Sequence, residues 1–111
     1  MACLWQPQRH IPHFLTNFPR MLQTISITVS GMVQGVFYRQ STKEKALALG
    51  ISGIVENLPD GNVHIIATGT ADQLDQLVQW CRQGPPRAKV TAVNVEPVAQ
   101  QVFMGFVIQR N

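Results

Sequence analysis

Polar and apolar residues alternate strictly from Thr24 to Ser30, with Ile25, Ile27 and Val29 set against Ser26, Thr28 and Ser30. That period of two predicts a half-buried strand. A glycine-bearing stretch, Gly31 to Phe37, follows it. A helix is then expected from about Tyr38 to Leu49, with Thr42, Ala46 and Leu49 on one face and Gly50 as a left-handed stop. Ile51 to Asn57 reads as a second strand and Asn62 to Thr68 as a third, hairpinned across the turn Leu58-Pro59-Asp60-Gly61. The second helix has the clearest signal. Thr70 is its N-cap and Gln73 completes a capping box, while Leu74, Leu77, Val78 and Cys81 form one apolar stripe. Gly84-Pro85-Pro86 ends it, and Lys89 to Glu96 and Phe103 to Gln109 close the pattern as two further strands.

The order is β-α-β-β-α-β plus a short C-terminal strand. Two helices of about three turns each cannot cover both faces of a sheet. The expected fold is therefore α+β, a ferredoxin-like split βαβ plait with an antiparallel sheet and both helices on one face. Right-handed crossovers put the first strand beside the third at the centre of the sheet.

Residues 1–22 have a different character. Gln6, Pro7, Arg9, His10, Pro12 and Pro19 break any period, so the expectation is a flexible N-terminal extension ahead of one domain over 23–111, with Met21 a candidate start. His10 and His13 read as solvated side chains rather than metal ligands, and Trp5 has no evident role. The formal charge of +3 changes little. Two of the nine Lys and Arg residues lie in the first twenty positions, which leaves seven against six acids in the rest, without a basic cluster of the kind that nucleic acid needs. Two cysteines, Cys3 and Cys81, make no disulfide framework, and Cys81 reads as a small buried hydrophobe. No apolar stretch reaches the roughly 20 residues of a membrane span. A cytoplasmic monomer that binds neither nucleic acid nor membrane is the resulting expectation.

The chemistry concentrates in Gly31-Met32-Val33-Gln34-Gly35-Val36-Phe37-Tyr38-Arg39. A glycine-bearing loop that leaves a strand and opens a helix can turn its amide hydrogens toward one anion, at the positive end of the helix dipole. Arg39 adds a planar fork matched to a phosphate edge. Asn57, at the end of the second strand, offers a donor and an acceptor suited to holding a water in line with phosphorus, although its position alone favours a residue that simply caps the turn. The chain has no nucleotide P-loop, no zinc-type Cys/His pattern and no serine elbow. His64 lies mid-strand and reads as a solvent-facing residue, and Trp80 as helix-edge cover.

Over about residues 23–110 the sequence resembles the acylphosphatase family. Two motifs carry the resemblance: the Gly31–Arg39 run, and Gly53-Ile54-Val55-Glu56-Asn57-Leu58-Pro59-Asp60-Gly61-Asn62-Val63 followed by Gly69. The resemblance implies hydrolysis of a carboxyl–phosphate anhydride, without metal or cofactor. It also implies Arg39 and Asn57 as the catalytic pair. The backbone amides of Gly35, Val36, Phe37, Tyr38 and Arg39 would hold the phosphoryl group, Asn57 would orient the water, and a phosphoryl oxygen would take the water's proton. Tyr38 stands where Phe is common, Ile54 where an aromatic is common, and Glu56 where a basic or neutral residue is usual. Strand alternation places Glu56 on the face away from Asn57, so any effect on the anion acts at a distance. The alternative is a non-catalytic plait that binds an anion or small ligand. An RNA-binding plait would need exposed aromatics on the central strands, which these strands lack.

Overall fold

In the computed structural model, which describes residues 21–110, the chain forms seven elements. They are β1 (Gln23–Met32), α1 (Tyr38–Leu49), β2 (Ser52–Asn57), β3 (Val63–Gly69), α2 (Ala71–Gln83), β4 (Lys89–Val98) and β5 (Phe106–Gln109). The expected extension lies outside the described residues, apart from Met21 and Leu22, which are exposed. The same is true of the expectations for Cys3, Trp5, His10 and His13. Among the described residues no helix is long and apolar enough to cross a membrane.

The strands form one sheet in the order β4-β1-β3-β2-β5, with β1 beside β3 at its centre as the crossover rule requires. The inward residues Ile25, Ile27, Val29, Val63, Ile65, Ala67 and Val55 are fully buried, and the helices cover that face through Ala46, Leu74, Leu77, Val78 and Cys81. The helix signals hold in detail. Gly50 ends α1 in the left-handed region at φ 81°, and Thr70 and Gln73 close a reciprocal capping box on α2. Burial pushes the Cys81 thiol up to about 12, so this cysteine is an inert packing residue.

The sheet is mixed, which corrects the expected antiparallel one: β5 runs parallel to β2. The reason lies in the connection. β4 ends at the sheet end where β2 begins, so residues 99–105, staying at that end, deliver β5 in the direction of β2. This strap is held at Gln101, whose N–H donates to Thr24 Oγ1 at 3.0 Å and whose carbonyl accepts from Thr68 Oγ1 at 3.0 Å. Thr68 spends its only proton there, so in the 2.7 Å Thr24–Thr68 hydroxyl pair Thr24 is the donor. Phe103 belongs to this strap and not to β5, which starts at Phe106.

A second correction concerns Gly31. It does not turn the anion loop; it is the next-to-last residue of β1 and sits where the β1–β4 register shifts. Its φ of 123° and the closeness of Lys89 O explain the residue, because a Cβ here would collide with that carbonyl. Gly31→Ala should therefore lower stability by about 2–4 kcal/mol in urea unfolding, through loss of the bulge. An unchanged unfolding midpoint would refute the role given to the bulge.

Candidate active site

Register places the site. Val29, Val63 and Asn57 lie on one transverse row across β1, β3 and β2. Val29 and Val63 are buried beneath the helices, so Asn57 faces the same side. Gln109 pairs with Glu56, so Arg110 stands level with Asn57 on the neighbouring edge. The β1–α1 connection passes over this row.

That connection begins with Val33, fully buried in the core, and ends at Phe37, the N-cap of α1. Gly35 at φ 76° and Phe37 at φ 63° are left-handed, and Val36 between them is not. A left-handed residue next to a residue of negative φ can curl successive N–H groups toward one side, the geometry of an anion-binding nest. Phe37 has a side chain and holds this conformation at a cost of about 1–2 kcal/mol. Its ring is 73 % exposed, so burial of the ring is not what compensates that cost.

The two helix starts differ. α2 begins with a sealed capping box and Asp72 in its first turn. α1 begins with no side-chain cap and no acidic residue in its first turn. A helix leaves its first amide hydrogens without intrahelical partners and carries about half a positive charge there. The first turn of α1 adds Arg39, a cation at the end where a cation costs stability.

These parts surround one cavity of about 420 Å³, lined among others by Gly35, Phe37, Tyr38, Arg39, Asn57 and Arg110. A Cβ at Gly35 would meet nothing within 4 Å, so a ligand has room to approach its backbone. Among the residues expected at the site, Val36 alone is absent from the lining; its side chain packs on the core. Sequence reasoning missed Gln40, Ile108 and Arg110, which also line the cavity. It also missed Gln34, whose Nε2 donates to the carbonyls of Leu58 and Asn62, each at 2.8 Å. Among the described residues no group of three His, Cys, Asp or Glu side chains is placed to hold a metal ion.

Tyr38 supports the loop from below. Its hydroxyl donates to Cys81 O at 2.7 Å, and its ring meets Trp80 at a centroid distance of 5.4 Å. Burial holds the phenol far above its ordinary range, so it stays protonated and serves as an anchor.

Glu56 lies on the opposite face of the sheet, as strand alternation requires. Its Oε2 is 3.2 Å from His64 Nδ1, while His64 Nε2 lies 2.8 Å from Ser26 Oγ. His64 is thus a half-buried link in a cross-strand network and not a simple solvent-facing residue. Glu56→Gln and His64→Ala should leave activity within about twofold, because the sheet separates them from the cavity. A tenfold change in KM for either variant would contradict this separation.

Comparison with known proteins gives a consistent result. The sequence profile of the Acylphosphatase family matches residues 25–108. An acylphosphatase of Rubrobacter xylanophilus is 52% identical over 77 residues, covering 69% of this chain and 70% of that protein. One from Acaryochloris marina is 46% identical over 86 residues, covering 78% of this chain and 92% of that protein. Among solved structures, an acylphosphatase from Coxiella burnetii superposes with a TM-score of 0.77 at 40% identity, covering 79% of this chain and 93% of that one. The acylphosphatase of Bacillus subtilis gives 0.76 at 33% identity, covering 80% of this chain and 99% of that one. The chain belongs to the acylphosphatase family.

Proposed function

We propose that this acylphosphatase holds the phosphoryl group of an acyl phosphate in the loop between Gly35 and Arg39 and attacks it with a water held by Asn57. The observation that carries this reading is the open start of α1. It lacks a cap and an acid, it is entered through two left-handed residues, and it borders the cavity shared by Arg39 and Asn57. Such a start accepts an anion from outside the chain.

The reaction needs little more. Water oxygen bonds to phosphorus, the bond from phosphorus to the acyl oxygen breaks, and the electron pair leaves with a carboxylate. A carboxylate is a good leaving group, since its acid has a pKa near 4. Charge on the phosphoryl oxygens is stabilised by the nest amides and the Arg39 guanidinium, which are in place before the reaction starts. The cavity lining contains no Asp, Glu or His. A phosphoryl oxygen accepts the water's proton, and the product is inorganic phosphate. Phe37, Ile108 and Arg110 border the remaining volume and would face the acyl group.

The test is release of inorganic phosphate from benzoyl phosphate in the presence of EDTA. Arg39→Ala should lose turnover and inhibition by inorganic phosphate together. Asn57→Ala should lose about 10²–10³-fold in kcat while inorganic phosphate still inhibits. Equal loss of phosphate affinity in both variants would contradict the separate roles. A folded wild-type protein without turnover would favour the non-catalytic anion-binding plait.

A further inference from the structure

The two halves of the site sit on strands that do not touch. The loop with Gly35 and Arg39 leaves β1, Asn57 ends β2, and β3 lies between them. Two strand spacings separate β1 from β2 by about 10 Å. The side chain of Gln34 crosses that gap directly. Its Nε2 carries two hydrogens and directs one to Leu58 O and one to Asn62 O, both at 2.8 Å.

Both carbonyls already have donors inside the hairpin. Gly61 N–H donates to Leu58 O at 3.1 Å, and Leu58 N–H donates to Asn62 O at 2.8 Å. The turn therefore closes without Gln34. What Gln34 adds is the position of the turn relative to the loop. Leu58 directly follows Asn57, and Gly35 directly follows Gln34, so a shift at the contact moves the water holder against the anion nest.

We propose that Gln34 is a positioning residue, which sets the separation between the phosphate loop and Asn57 and hence the line of attack of the water. The inference rests on the reading of the site given above. It makes Gln34 matter for alignment and not for affinity. The anion is held by Arg39 and the nest, on the Gln34 side of the gap, whereas the water is held on the far side. A misplacement of about 1 Å between reacting groups costs on the order of 10²-fold in rate.

The experiment compares wild type, Gln34→Met and Gln34→Glu in benzoyl phosphate hydrolysis, with folding checked by circular dichroism. Inhibition by inorganic phosphate reports anion binding separately. Gln34→Met keeps the length and removes the donor, so kcat should fall about 10–100-fold while the phosphate Ki changes less than about threefold. Gln34→Glu should be equally slow at neutral pH, where a carboxylate faces two carbonyls. It should regain activity relative to wild type as the pH falls, because a protonated carboxyl is again a donor; Gln34→Met should not. A kcat within twofold of wild type in a folded variant overturns the proposal. So does a Ki that rises in step with the fall in kcat, or a Gln34→Glu profile parallel to that of wild type. Absence of turnover in the wild type overturns the reading of the reaction, and the inference with it.

Discussion

The site depends on a helix that starts without a side-chain cap. Backbone donors at a helix start need partners, and most helices supply them from their own sequence, as α2 does with Thr70 and Gln73. α1 does not. Its left-handed Phe37 and its first-turn arginine both raise the energy of the folded chain. Each of these features is unfavourable alone. Together they are what a bound phosphoryl group, in the role proposed for this loop, would offset.

The rest of the fold serves that start. The β1–β3–β2 register brings Asn57 onto the buried row beside Val63 and Val29, so its side chain rises toward the loop and not toward solvent. Tyr38 fixes the base of α1 to α2 through Cys81 O and Trp80. The added hydroxyl of this tyrosine therefore has a packing reason, which answers the departure noted at a position where phenylalanine is common. The polar network of Ser26, His64 and Glu56 occupies the other face, separated from the cavity by the thickness of the sheet.

Much of this was legible in the chain. Alternation from Thr24 to Ser30, the Thr70–Gln73 box and the stripe ending at Cys81 are local signals, and all of them specify the observed elements. Arg39 and Asn57 each lie at the boundary of an element, but it was the family resemblance that paired them; both line the cavity. Four features were not legible, because each depends on a neighbour distant in sequence. Gly31 looks like a loop glycine until Lys89 is seen against it. The parallel direction of β5 follows from where the strap crosses. Gln34 reads as one polar residue among several until the hairpin carbonyls are placed beside it. Arg110 reaches the cavity only because β5 pairs with β2.

The placement of β5 has a consequence for how the molecule comes into being. The cavity wall combines residues of the β1–α1 connection and the start of α1 with Asn57 and with Ile108 and Arg110, so it joins segments from the two ends of the fold. Contacts over such sequence distances carry a loop-closure cost and slow the folding of the domain as a whole. A partly folded chain with β1, α1, β2 and β3 in place would own the nest and Asn57 and still lack one side of the chamber. The chamber is thus complete only when β5 has paired with β2.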